Sequence, residues 1–184
     1  MKKQSALRYH RIMMNAPELK PIPIRYEWLN DLYEQTDQTF CLNQIPLPLE
    51  EAFSRNYFLA VRTGRNGGFP FLAFALTLGK QEIGKAELTL QEDGRAELDL
   101  ILKREFCHRG YGSKALRKLI EKAKEVHFCM GIAAYVNEDH AVMKKLLENA
   151  GFVKGRGFTA DVLTPEGGAY RMKEVRGREY ILDF

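Results

Sequence analysis

The sequence predicts an α+β (mixed α/β) fold: one domain whose mixed central sheet of about six to seven strands is flanked by helices. Three observations carry this. Phe71–Leu78, Glu82–Leu90 and Arg95–Lys103 are successive strand-like runs broken by turn chemistry at Gly79-Lys80 and Asp93-Gly94, the pattern of an antiparallel meander. A clear amphipathic helix, an apolar run of strand length and a second amphipathic helix follow, which implies a parallel crossover into the same sheet. No repeat, low-complexity tract or long Pro/Gly/Ser linker divides the 184 residues, so residues 1–184 are expected to form a single domain.

Taken in order, Tyr26–Phe40 is expected to be helical through the spacing of Trp28, Leu29, Leu32 and Tyr33. Two prolines between Cys41 and Pro48 end it. A second short helix is expected over Leu49–Tyr57, with Pro48 in its first turn and Glu50 and Glu51 near the positive end of its dipole. After the meander comes a helix over Ser113–Val126, whose apolar stripe is Ala115, Leu116, Leu119, Ile120, Ala123 and Val126. Its lysines Lys118, Lys122 and Lys124 lie off the stripe and read as a solvated face. Phe128–Val136 is a strand candidate. His140–Ala150 is a helix candidate stopped by Gly151. Residues 156–184 are expected to form strands, with a turn at Thr164-Pro165-Glu166-Gly167-Gly168 and a last strand near Glu179–Phe184.

Composition narrows the classes of function. Apolar residues make up 45% and charged residues 28%, which excludes a disordered or collagen-like chain. The longest nearly apolar run, Phe69–Leu78, is about half the ~20 residues of a membrane-spanning helix, and polar residues follow Lys2 and Lys3 where a signal peptide would be apolar. A cytoplasmic protein without membrane partners is therefore expected. Cys41, Cys107 and Cys129 are odd in number and far apart, which points to reduced thiols and offers no metal-ligand spacing. A net charge of +4 is too small and too dispersed for a nucleic-acid binder, but it permits a local basic patch facing a polyanionic small molecule.

Such a patch occurs in the segment AELDLILKREFCHRGYGSKALRKL, Ala96–Leu119. A strand feeds a loop ending His108-Arg109-Gly110-Tyr111-Gly112-Ser113, and a helix opens at once. Glycines let the backbone approach a ligand, free N–H groups at a helix start bind anions, and Arg109 and Lys114 add charge. Gly110-x-Gly112-x-x-Ala115 also fits the dinucleotide fingerprint. However, six mostly polar residues, Arg104–Arg109, separate the strand from Gly110, and position 130 is Met130 where a strand-ending acid belongs. No Gly-Lys-Ser/Thr follows the loop, so the Walker pattern fails.

On these residues the chain resembles the GNAT family of acyl-CoA-dependent N-acyltransferases, in which a strand, a Q/R-x-x-G-x-G/A loop and a helix hold the pyrophosphate of coenzyme A. Cys107-His108-Arg109-Gly110-Tyr111-Gly112 matches both glycines and has Cys at the Gln/Arg position. Ala96-Glu97-Leu98, with Glu97 thirteen residues before Gly110, and Ile83-Gly84-Lys85-Ala86-Glu87-Leu88 are similar to strands of the branch that includes ribosomal-protein alanine acetyltransferases. Asn149-Ala150-Gly151-Phe152 resembles the close of the family's second helix. The likeness spans roughly residues 70–155. The chain departs from it at His140, where Asn is usual, and at Leu147, where many members have a Tyr that protonates the leaving thiolate.

The resemblance implies transfer of an acetyl group from acetyl-CoA to a primary amine, on a small molecule or a peptide, by direct attack in a ternary complex and without metal. Acetyl-CoA would be held by Leu102, Lys103, Arg104, Cys107, His108, Arg109, Gly110, Tyr111, Gly112, Ser113, Lys114 and His140. Its pantetheine arm would pair with the backbone of Leu102–Arg104, and a backbone N–H where the strand splays, around Leu102, would polarise the thioester carbonyl. Residues 20–60 would wall the acceptor site, where Glu27, Asp31, Glu34 and Asp37 are either a hint of a cationic amine or ordinary exposed acids.

A lysine-like amine has a pKa near ~10.4, so a base must take its proton. Glu97 is the first candidate; it shares a strand face with Asp99, about 7 Å away, and a merely solvated face is the competing reading. Tyr135 is the candidate acid for the leaving sulfur, with half-buried packing as its alternative. His140 is either a helix cap or a pantetheine contact. Cys107 lies near a helix N-terminus, which lowers a thiol pKa, but His108 has no evident acid partner for covalent catalysis. The rival reading from another class is a non-catalytic acyl-CoA binding or sensing module of the same fold, to which Leu147 points.

Overall fold

The computed structural model describes residues 16–42, 44–166 and 169–184. Among these residues eight strands form one mixed sheet: β1 (Glu18–Pro21), β2 (Arg65–Asn66), β3 (Phe69–Leu78), β4 (Gln81–Leu90), β5 (Arg95–Leu102), β6 (Gly131–Asn137), β7 (Val153–Glu166) and β8 (Ala169–Asp183). Their order is β1-β3-β4-β5-β6-β8-β7, with the two-residue β2 beside β3. Among the described residues four α-helices accompany them: α1 (Tyr26–Glu34), α2 (Glu51–Thr63), α3 (Tyr111–Glu125) and α4 (Ala141–Asn149). Among the described residues, no helix is long and apolar enough to cross a membrane.

Two apolar clusters sandwich the sheet. The larger joins Leu116, Leu119 and Ile120 of α3 and Leu147 of α4 to Ile83, Leu88, Leu98, Ile132 and Tyr180. The smaller joins Trp28, Leu29, Leu32 and Tyr33 of α1 to Leu49 and Ala75. α1 and α3 bury the stripes that their sequence periodicity marks out, whereas α4 buries Leu147 and leaves Val142 exposed.

The meander, the crossover and both later helices lie where the sequence puts them, and the differences have local causes. α1 stops at Glu34 rather than Phe40, because Gln35 O accepts the Arg104 N–H at 2.7 Å and Thr36 bridges to Lys103. These partners from the end of β5 draw the chain out of the helix. α2 begins after Glu50, which leaves Pro48 outside its first turn, and it continues past Tyr57 to Thr63 before the left-handed Gly64 stops it. β6 starts at Gly131, after Phe128, which has a positive φ of 64°. The strands β1 and β2 are too short to show a period. The expected turn after Thr164 is strand as far as Glu166 and again from Ala169, and Gly167 and Gly168 lie outside the described residues.

The feature that positions the site is the β5–β6 junction. These parallel strands pair only through Arg95–Gly131, Ala96–Ile132 and Glu97–Ala133, although β5 runs on to Leu102 and β6 to Asn137. β6 instead pairs along its whole length with β8. The sheet therefore opens into a V after Glu97, earlier along the strand than Leu102, where the sequence reading places the splay.

Candidate active site

Main-chain chemistry defines the split first. Lys103 donates its N–H to Ile83 O at 2.8 Å. Alternation along the antiparallel β4–β5 ladder then turns the N–H and C=O groups of Glu97, Asp99 and Ile101 toward β4, and those of Leu98, Leu100 and Leu102 toward the split. Of the stretch expected to meet pantetheine, Lys103 and Arg104 have their N–H groups committed to Ile83 and Gln35, and the Lys103 ammonium pairs with Asp31 at 2.7 Å. Leu102 keeps its main-chain groups on the split side.

The loop at the mouth of the split has the geometry of an anion site. His108 (φ 60°) and Gly110 (φ 79°) are left-handed, and Gly110 is the N-cap of α3. The first bond of the helix ladder is Lys114 N–H to Gly110 O, so the N–H groups of Tyr111, Gly112 and Ser113 lie ahead of that ladder at the positive end of the helix. A Cβ on Gly112 would sit 3.0 Å from Leu146 Cδ1, so any larger residue would have to push that side chain of α4 aside by a few tenths of an ångström. Arg104, His108, Arg109 and Ser113 are exposed around the loop, and the Lys114 ammonium lies 6.0 Å from the Tyr111 ring. The Cys107 thiol approaches Lys103 O at 3.6 Å; burial, followed by the charge of Asp37, pushes its pKa up and keeps it protonated. These residues fit a diphosphate and its pantetheine arm.

On the opposite face of β5 from α3, a cavity of about 450 Å³ is lined by Leu42, Glu97, Tyr135, Arg156, Gly157, Phe158 and Ala160. It brings together the two side chains expected to exchange protons. Glu97 accepts a hydrogen bond from Gln91 Nε2 at 3.1 Å; burial of one side, followed by the charge of Asp99, raises its carboxyl above the usual range. Tyr135 packs edge-on against Phe158, ring centroids 5.8 Å apart, and burial followed by the charges of Glu179 and Glu97 raises its hydroxyl. A phenol held protonated can donate to a leaving group.

His140 occupies the N-cap of α4 without a side-chain cap bond, and its ring stacks on Phe40 at 5.1 Å. The stretch 36–42 thus reaches from the end of β5, at Thr36–Lys103, to the start of α4. Of the four acids expected to face an acceptor, Asp31 pairs with the distant Lys103, Glu34 accepts from Asn30 at 2.6 Å, Asp37 accepts from Thr39, and Glu27 is exposed in the first turn of α1. Leu147 is fully buried in the larger core.

Sequence reasoning missed the cavity's far wall and a buried network beneath it. Phe158 and Arg156 reach the cavity only because β7 closes the sheet beyond β8, which no local pattern announces. The Lys85 ammonium, 2% exposed, lies 2.7 Å from Glu87 Oε1 and 2.9 Å from Asp99 Oδ2, and Tyr57 donates its hydroxyl to Glu87 at 2.7 Å. The available signal is a Lys and a Glu two apart within the apolar stretch from Ile83 to Leu88.

A split parallel pair with a glycine loop and helix start at its mouth is the architecture of a coenzyme A-dependent acyltransferase. The sequence profile of the acetyltransferase (GNAT) domain family matches residues 19–153, and the chain belongs to that family; it is an acyltransferase. No curated protein matches the sequence. Solved structures of the same fold include an acetyltransferase from Thermus thermophilus, at 20% identity, TM-score 0.62 and coverage of 92% of this chain and 97% of that one. Another is the ribosomal L7/L12 alpha-N-protein acetyltransferase RimL in complex with coenzyme A, at 10% identity, TM-score 0.70 and coverage of 91% and 94%. A ribosomal-protein-alanine N-acetyltransferase from Brucella melitensis aligns at 16% identity, TM-score 0.64 and coverage of 91% and 99%. Ribosomal-protein acetyltransferases are thus among the structural neighbours, in keeping with the branch the strand motifs resemble. The neighbours are acetyltransferases, which gives no support to a non-catalytic sensing module.

Proposed function

We propose that the protein transfers an acetyl group from acetyl-CoA to a primary amine by direct attack in a ternary complex, with Glu97 as base and Tyr135 as acid. The observation that carries this reading is that Glu97 and Tyr135 line one cavity at the point where β5 and β6 part. The glycine loop, His140 and the split-facing backbone of Leu102 would hold the co-substrate. The Lys103 side chain and the Arg104 N–H would instead tie that strand to α1, leaving the exposed Arg104 guanidinium for the phosphates.

Glu97 takes a proton from the arriving ammonium, directly or through one water, and frees the nitrogen lone pair. Nitrogen then bonds to the thioester carbon, and a split-facing N–H of β5 holds the charge that develops on oxygen. As the carbon–sulfur bond breaks, Tyr135 gives its hydroxyl proton to sulfur. The phenolate so formed takes back the remaining extra proton of the new amide nitrogen, directly or through one water, and Glu97 passes its own proton to solvent. Binding acceptor and acetyl-CoA together removes any need for a covalent enzyme intermediate, and the protonated Cys107 supplies no nucleophile. The cavity suits a small amine or the N-terminus of a peptide.

Titration calorimetry with acetyl-CoA, using NADH and ATP as controls, tests the reading. Binding of acetyl-CoA alone, followed by thiol release with alkyl diamines or Ala- and Ser-initiated peptides, is the expected result. Failure to bind acetyl-CoA and CoA would refute it, and affinity for NADH would return the loop to the dinucleotide class. Glu97→Gln should bind acetyl-CoA normally and lose turnover by roughly 10²–10⁴-fold.

A further inference from the structure

Glu97 and Asp99 stand two residues apart on the same face of β5, and their surroundings differ. Asp99 is held: its Oδ2 lies 2.9 Å from the Lys85 ammonium, which also pairs with Glu87 at 2.7 Å and lies 5.6 and 5.5 Å from the rings of Tyr33 and Tyr57. The β4–β5 register sets Glu87 directly across from Asp99, an arrangement that repels without a cation between the two carboxylates. Lys85 and Glu87 are buried while the Asp99 side chain is 51% exposed, and burying the Lys85–Glu87 pair gains little stability over an apolar core of the same shape. Glu97, by contrast, has the single Gln91 bond at one oxygen and turns to the cavity.

We propose that Asp99, clamped by Lys85, is a positioning residue that acts through Glu97: its fixed negative charge sets Glu97 up to take the proton of the acceptor amine. The inference rests on the reading of Glu97 as the base. The ammonium proton passes to a Glu97 carboxylate oxygen and leaves a neutral amine, with no other reactant. An ordinary glutamate near ~4.3 faces an ammonium near ~10.4, and each unit by which that gap closes favours the transfer tenfold.

The other groups facing Glu97 leave this task to Asp99. The turn after β4 presents Gln91, and β4 itself presents, further along, Glu87 and the Lys85 ammonium that Glu87 shares with Asp99; β6 presents the phenol of Tyr135; and the α1–α2 loop presents Leu42. β7 brings the cation Arg156, whose side chain is 81% exposed and so screened by water, and β8 brings Glu179, 3.8 Å from Arg156. Burial and Asp99 are the two influences that raise the Glu97 carboxyl.

The test is a ¹³C carboxyl NMR titration of Glu97, assigned by its loss in Glu97→Gln, in the wild type, Asp99→Asn, Asp99→Glu, Lys85→Met and Lys85→Met/Asp99→Asn. Asp99→Asn should lower the Glu97 midpoint by about 0.4–1.7 pH units, the Coulomb effect of one charge at ~7 Å in an effective dielectric between about 80 and 20, and Asp99→Glu should restore it. In the Lys85→Met background the same substitution should move it less than half as far, because Asp99, half exposed and no longer held 2.9 Å from the ammonium, turns out to water. An unmoved midpoint in Asp99→Asn overturns the proposal, as does an equal shift with and without Lys85. Should Lys85→Met fail to fold, the Asp99→Asn and Asp99→Glu midpoints decide. Wild-type turnover by Glu97→Gln would overturn instead the reading of Glu97 as base, whatever the midpoints do.

Discussion

Installing tyrosine at position 147, where many family members carry one, should damage this protein rather than improve it. Leu147 is 0% exposed, its carbonyl accepts the N–H groups of Ala150 and Phe152 at 2.9 and 3.1 Å, and its side chain packs in the larger core. A Leu147→Tyr ring has no free volume to enter, and overpacking costs about 1–3 kcal/mol. Its hydroxyl would lose water without a partner, a further penalty of about 1–3 kcal/mol. The sum, about 2–6 kcal/mol, corresponds to a fall in Tm of roughly 5–20 °C for a chain of this size. The comparison variant Leu147→Ala should lose about 2–5 kcal/mol through its cavity. Thermal unfolding by circular dichroism measures both, and thiol release from acetyl-CoA should show no gain in kcat for Leu147→Tyr. A variant as stable as the wild type and faster would show that the proton for the leaving sulfur comes from α4 and not from Tyr135.

Three further outcomes follow from the same geometry. Tyr135→Phe keeps the ring that packs on Phe158 and should leave acetyl-CoA affinity and Tm unchanged while kcat falls by roughly 10²-fold or more, which stopped-flow thiol detection resolves. Gly110→Val forces a branched side chain to φ 79°, costing about 1–2 kcal/mol, and should weaken acetyl-CoA binding at least about tenfold in calorimetry as the N–H groups at the start of α3 lose their aim. Burial, opposed by the charge of Asp37, holds the His140 imidazole below its ordinary ~6.5. The unfolded chain therefore binds the extra proton first, and stability is lost as pH falls from ~6.5 through the lower folded value. The urea midpoint should accordingly drop between about pH 7 and 5 in the wild type and fall less in His140→Phe.

Much of this site was legible because its chemistry is local. The left-handed Gly110, the helix that starts after it and the apolar stripe of α3 are consequences of short-range backbone and side-chain rules, so Gly110, Gly112 and Leu116 can be placed without knowing what they touch. The same holds for the β3–β5 meander, whose two turns carry their own signals. Glu97 and Tyr135 were nameable from strand position, but their meeting in one cavity required the sheet to part between them.

What tertiary structure decided lies where competing partners are remote in sequence. α1 gives up its last turns because Arg104 and Lys103 bond to residues 35 and 36. The split opens at Glu97 because β6 follows β8 instead of β5. Asp31 is drawn to Lys103, while Asp99 is drawn to Lys85 and so to Glu87 and Tyr57. Periodicity fixes which face of an element is apolar, since that depends on neighbours three or four residues away. It carries no register between strands that are distant in the chain, and the charge partners that set this site apart are fixed by register.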